Sequence, residues 1–231
     1  MSTDATDEPP EGFRQWRYQP PPGGTTVLLV RHGESAAAFG DQPFPLRDGH
    51  GDPPLHPDGE IQARRLGSRL AAEHEGGQRI DAIYVTTLQR TAQTAAPLAE
   101  RIALEPAVEP GLREVFLGDW EGGLLRKKAA EGDPILQQVF ATERWDAIPG
   151  AEPLEEFDTR LRVAIARIAA AHADQRVVVV SHGGVIGHLL HVATRSSRFA
   201  FTGADNASIS EMVVVDGRWS LRRFNDTTHL T

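Results

Sequence analysis

The sequence predicts an α/β domain built on a mainly parallel sheet. Three observations carry that prediction. Short aliphatic, β-branched runs alternate along the chain with longer stretches of helical period. The two strongest runs are apolar almost throughout, as strands covered on both faces are. Each of those two leads directly into a histidine followed by glycine, His32-Gly33 and His182-Gly183.

In chain order, residues 1–24 hold five of the 16 prolines and few aliphatics, which predicts a flexible or surface-draped arm ahead of a single domain over 25–231. Thr25–Val30 is the first buried strand. Phe39–Pro54, with four prolines, three glycines and three aspartates, is a long loop of the kind that carries function. Pro57, followed by Asp58 and Glu60, opens a helix that runs to about His74 and stops at Gly76-Gly77. Ile80–Val85 is a weaker strand. Thr87 is placed to cap a helix reaching about Ile102. The strongest helical pattern runs from Pro153 to about Asp174. There Leu154, Phe157, Leu161, Ile165 and Ile168 share one face, and Glu156/Arg160 and Asp158/Arg162 are spaced as ion pairs. Arg176–Val180 is the second buried strand, with a helix expected just after Gly184. Ile209–Val215, Asp216-Gly217 and Arg218–Phe224 read as a hairpin.

Composition narrows the function. The 231 residues carry 24 Lys and Arg against 32 Asp and Glu, a formal charge of −8. A general nucleic-acid binder or an anionic-membrane binder carries a basic face, so neither partner is expected. There is no cysteine, which excludes disulfides, thiol catalysis and cysteine-held metals. No apolar run approaches the ~18 residues of a membrane span. The acidic, proline-rich start does not read as a secretion signal, so a cytoplasmic location is expected.

The chemistry concentrates where the two strands end. Ligands of open α/β sheets bind beyond the carboxyl ends of the strands. If both strands are central and parallel, Arg31-His32-Gly33-Glu34-Ser35 and Ser181-His182-Gly183-Gly184 face one crevice. The glycines allow close backbone approach and leave amides for an anion, and Gly183-Gly184 opens a helix whose first N–H groups would point at it.

These residues resemble a known family. Leu28-Leu29-Val30-Arg31-His32-Gly33-Glu34-Ser35 resembles the signature of the histidine phosphatase superfamily, also called phosphoglycerate mutase-like. Further blocks follow in the family's order: Asp52–Gly59 with Gln62-Ala63, Thr86–Ala95, Leu112-Arg113-Glu114 with Gly118–Gly122, and Val178–Gly184. The resemblance spans roughly residues 25–215. It implies a phosphoglycerate mutase-like three-layer sandwich, with helices on both faces of a mostly parallel sheet. It also implies a cofactor-independent, metal-independent phosphomonoesterase acting on a small phosphorylated substrate.

By the same resemblance, His32 is the nucleophile that forms a phosphohistidine. It must attack as neutral imidazole, with its other nitrogen held by an acceptor. Arg31 and Arg90 clamp the phosphoryl oxygens, a task suited to a planar and permanently charged fork. His182 donates to the phosphate, with Gly183 and Ser35 as further substrate-binding residues. Glu114 is the general acid and base, chosen over Glu109, Asp119 and Glu121 by its position in the motif. Phe116 and Trp120 are expected to pack, and Glu34 to support the first loop. The sequence departs from the family at Ala38, where many members have asparagine, at His56 in place of threonine, and at Thr86 in place of serine.

Other readings stay open at this stage. A mutase of this kind usually carries an Arg-His-Tyr stretch after the general acid, where this chain has Val115-Phe116-Leu117, so hydrolysis is expected. A non-catalytic phosphate-binding module would not need the full set of Arg31, His32, Arg90, Glu114 and His182. A serine hydrolase elbow requires glycine where Val179 stands. His182, His188 and His191 match no metal-binding pattern, and the first strand lacks the glycine-rich turn of a dinucleotide fold.

Overall fold

In the computed structural model, which describes residues 15, 18–39 and 42–231, the aliphatic runs form the centre of the molecule. The expected arm therefore lies largely outside the described residues. Strand β1 (Thr25–Arg31) pairs in parallel with β6 (Arg176–Ser181), in a register that sets Val27 beside Val177 and Arg31 beside Ser181. β4 (Ala82–Val85) and β5 (Ala107–Val108) continue the parallel part. On the other side, β7 (Ile209–Val215) runs antiparallel to β1 and turns at Asp216-Gly217 into β8 (Arg218–Asp226). Both turn residues have positive φ, 47° and 71°, the geometry that Asp-Gly favours in a two-residue hairpin. The sheet order is β5-β4-β6-β1-β7-β8.

Side chains alternate across the two central strands and build a core on each face. Val27, Leu29, Val177 and Val179 meet Phe157, Leu161 and Ile165 of α5 (Leu154–Ala171) and Leu189 of α6 (Gly183–Thr194). Leu28, Val30, Val178 and Val180 meet Leu66 and Leu70 of α1 (Pro57–Glu75) and Leu98 of α2 (Gln89–Ile102). The result is the three-layer sandwich. Truncating a filled position such as Phe157, 1% exposed, to alanine costs about 3–5 kcal/mol.

Several elements differ from the sequence expectation. Thr87 does not cap α2, because the first N–H of that helix, from Gln89, goes to Asp52 Oδ1 at 2.8 Å. Asp52 lies in the Phe39–Pro54 segment, so the cap is tertiary rather than local. That segment also folds into a small ladder, β2 (Leu46–Arg47) with β3 (His50–Gly51). Asp158 and Arg162 pair as spaced, at 2.7 Å, but Arg160 turns from Glu156 to Glu152, at 2.6 Å. Two unanticipated helices, α3 (Leu124–Glu131) and α4 (Pro134–Thr142), lie between the motif at Glu114 and α5. A third apolar cluster, around Trp120, Val139 and Ile148, supports them.

Candidate active site

β1 and β6 end in register, so the residues immediately beyond them, His32 and His182, are neighbours. Their rings lie edge to face, 5.3 Å apart. His32 Nδ1 is 2.7 Å from the carbonyl oxygen of Gly33. A carbonyl only accepts, so Nδ1 carries the proton and Nε2 keeps its lone pair. Burial, then the positive charges of Arg90 and Arg31, push the His32 pKa well below its ordinary value. The ring is thus held neutral, with the lone pair of Nε2 unprotonated.

The loop that carries His32 is held by the side chains of two helices. Thr94 Oγ1 accepts from Gly33 N–H (2.9 Å) and Gln62 Oε1 from Glu34 N–H (2.8 Å), while Gln93 Oε1 accepts from Leu55 N–H (2.8 Å) in the segment that leads into α1. Gly59 is required here, since a Cβ on it would stand 2.0 Å from the Glu34 carbonyl oxygen. Gln62 and Thr94 are therefore clamps on the backbone of the loop, and Gln93 on the segment that leads into α1.

The two arginines expected at the site are both there. Arg31, the last residue of β1, donates to Ala204 O at 2.5 Å, and its buried Nε has no partner among the described residues. Arg90, in the first turn of α2 and 8% exposed, donates to Gly51 O at 2.9 Å. Burial lowers both pKa values, and the opposing charge that acts most on each is Glu114. An arginine in this situation stays charged.

His182 is fully buried behind His32 and, like Gly183, does not itself line the cavity. Its Nε2 lies 3.1 Å from Thr86 Oγ1, and its Nδ1 has no partner among the described residues. Burial and Arg90 hold its pKa well below the ordinary value. Glu114 enters from the loop after β5 and lines the cavity. Its Oε1 accepts from Val115 N–H at 3.0 Å and its Oε2 from Gly184 N–H at 3.2 Å. The first amides of α6 were expected to face an anion, but that of Gly184 is taken by Glu114. A Cβ at position 184 would stand 2.6 Å from Glu114 Oε1, so the carboxylate approaches only because the residue is glycine. Gly183 packs beside the Arg31 guanidinium and does not line the cavity.

The remaining candidates sort by geometry. Ser35 lines the cavity, but its hydroxyl accepts from Arg126 at 2.7 Å. Glu109 pairs with Arg167 at 2.9 Å and lies outside the cavity wall. Glu121 lines the wall, its two oxygens accepting from the N–H groups of Leu117 and Gly51. Trp120 packs in the third cluster as expected and also lines the cavity. His188 and His191 bond to Asp158 and to the Ser196 carbonyl, which separates them from His182. Glu34, His56 and Asp58 bring three potential ligand atoms together only on the surface.

Sequence reasoning missed two groups. Arg126 of α3 reaches back to Ser35 and to the Ala36 carbonyl, and no spacing in the chain links these residues. Asn206, in the loop before β7, donates to the His32 carbonyl oxygen at 2.9 Å. The cavity these residues surround measures about 1060 Å³.

The sequence pattern of the histidine phosphatase superfamily (branch 1) matches residues 27–227. The chain is 34% identical over 208 residues to phosphoglycerate mutase-like protein 4 of Arabidopsis thaliana, covering 88% of this chain and 86% of that one. It is 32% identical to a metal-independent phosphoserine phosphatase of the same plant, covering 90% and 84%. Among solved structures, YhfR of Bacillus stearothermophilus superposes with a TM-score of 0.73 at 25% identity, covering 90% of this chain and 100% of that one. The phosphoglycerate mutase of Bacillus anthracis, at 24% identity and a TM-score of 0.74 over 90% and 96%, shares the fold. No helix among the described residues is long and apolar enough to cross a membrane.

Proposed function

The chain belongs to the histidine phosphatase superfamily, and on that premise we propose that it hydrolyses small phosphate monoesters through a phosphohistidine at His32. The observation that carries the proposal is the His32 ring itself. Its Nδ1–H is tied to the Gly33 carbonyl, its Nε2 is free, and it is held neutral among Arg31, Arg90 and His182.

Nε2 attacks phosphorus while the bond from phosphorus to the alcohol oxygen breaks. Arg31 and Arg90 hold the non-bridging oxygens, where negative charge is greatest. His182 donates from Nδ1, its otherwise unpartnered atom. Glu114 gives its proton to the departing alcohol oxygen. As a carboxylate it then takes a proton from water, the new oxygen–phosphorus bond forms, and the nitrogen–phosphorus bond breaks. The Nδ1–H bond to Gly33 supports the positive charge that the ring carries while phosphorylated. The two arginines supply the positive charge that such a transfer requires.

A phosphate-release screen over a panel of metabolite phosphates, with His32→Ala as blank, tests the proposal. Release by the native chain and none by the variant supports it; no release from any member overturns it. The phosphoglycerate mutase-like relative motivates one further arm, incubation with 3-phosphoglycerate. Formation of 2-phosphoglycerate without free phosphate would replace hydrolysis by mutase-type phosphoryl transfer.

A further inference from the structure

We propose, resting on the phosphatase reading, that the alcohol of the preferred substrate is uncharged and largely apolar. The structure divides the cavity into two ends of different chemistry. At His32 stand Arg31 and Arg90. Away from it the wall is formed by Phe39, Phe44, Ala38, Leu124 and Leu125.

That wall is constructed rather than incidental. Gly123, at a φ of 99°, lets the Phe44 ring and Ala38 come so close that a Cβ would meet them at 2.9 and 3.0 Å. The Phe44 ring also carries the Arg126 guanidinium, 5.3 Å from the ring centre. The aromatic side chain is thus held by contacts with both a glycine and a cation. Phe39, 66% exposed, leaves a second ring at the mouth, where a ligand would cover it.

Two cations, Arg126 and Lys127, also stand at this end. Arg126 donates one terminal nitrogen to the Ala36 carbonyl (2.8 Å) and the other to Ser35 Oγ (2.7 Å). Lys127 faces Glu131, one turn along α3. Glu34 and Glu121 add negative charge to the wall. At this end two cations and two carboxylates offset one another, so a second anionic group on the substrate gains no net attraction there, whereas an apolar group meets matching surface.

The test compares esters of aliphatic-type alcohols, so that leaving-group reactivity does not favour an aromatic phenolate. Benzyl phosphate and hexyl phosphate are set against phosphoserine and 3-phosphoglycerate. We expect kcat/KM at least about tenfold higher for the apolar pair, carried by KM. Phe44→Ala should shrink that ratio, and Phe44→Leu, which keeps the wall apolar, should retain most of it. Equal or better use of the carboxylate-bearing esters by the native chain overturns the inference while leaving the phosphatase reading intact. If no ester, p-nitrophenyl phosphate included, releases phosphate, the phosphatase reading fails separately. Calorimetric binding of benzylphosphonate against 3-phosphonopropionate then still reads the preference, and equal affinities overturn it.

Discussion

Thr86 Oγ1 lies 3.1 Å from Nε2 of the fully buried His182. Thr91, which neighbours Thr86, directs its own hydroxyl at the Leu88 carbonyl, 2.8 Å away. A Thr86 proton directed at His182 Nε2 would place the His182 proton on Nδ1, the atom with no partner among the described residues. On the proposed mechanism that one hydroxyl would set which nitrogen donates to phosphate. Thr86→Val should lower kcat about 10- to 100-fold with KM less affected, and Thr86→Ser should restore it. Nitrogen chemical shifts of His182 should report loss of the Nδ1–H form in the valine variant and its return with serine. An unchanged tautomer in Thr86→Val contradicts the assignment.

His32→Ala should abolish turnover with the fold retained. Mixing the native chain with a phosphorylated substrate and quenching with base should trap a label that acid removes. The alanine variant should carry none. A label that survives acid would point to a different nucleophile.

Glu114 and Gly184 form a single device. Glu114→Gln should slow alkyl phosphates far more than p-nitrophenyl phosphate, whose leaving group needs little protonation. Gly184→Ala should reproduce that pattern through displacement of the carboxylate, because the added Cβ falls 2.6 Å from Glu114 Oε1. Circular dichroism checks that both variants fold. Equal losses on both substrates would remove Glu114 from the proton transfer.

The histidines also set the pH dependence. Folding lowers the pKa values of His32 and His182 below the ordinary 6.5, chiefly by burial. Below that value the unfolded chain binds protons that the folded chain does not, so stability is full above about pH 6.5 and falls as the pH drops. Urea unfolding at pH 5 should therefore give a lower stability than at pH 7. A carbon-detected titration should show no midpoint for either ring between pH 6 and 7.5. A His32 midpoint near 6.5 would contradict the neutral-nucleophile geometry.

The parts of the fold and site legible in the sequence are those that depend on short segments. Val177–Val180 and Val27–Val30 are strands because nothing in either run tolerates water, and their ends place His32 and His182. What was hidden depends on distant segments meeting. Thr87 fits a cap by local rules, yet Asp52 reaches the first amide of α2 from 37 residues away. Gly184 has the local form of an anion-binding helix start, but its amide goes to a carboxylate 70 residues earlier. α3 buries no residue fully and begins after a left-handed glycine without a side-chain cap, so neither periodicity nor capping announces it. Arg126 was out of reach of sequence reasoning for that reason. The structure adds that Gln62 and Thr94 serve the backbone of the first loop and Gln93 the backbone at Leu55.

Phe44 and α3 line the end of the cavity proposed for the alcohol, yet they belong to neither of the two large cores on which the sheet depends. The phosphate end is welded to the ends of β1 and β6 and to the first turn of α2, where a change in shape reaches the centre of the molecule. Selection can accordingly rewrite one end of the cavity at little expense to folding while the other stays fixed. A lineage of such chains can inherit one reaction and diverge in diet, and two segments, Phe39–Phe44 and Leu124–Glu131, are where that divergence is to be read.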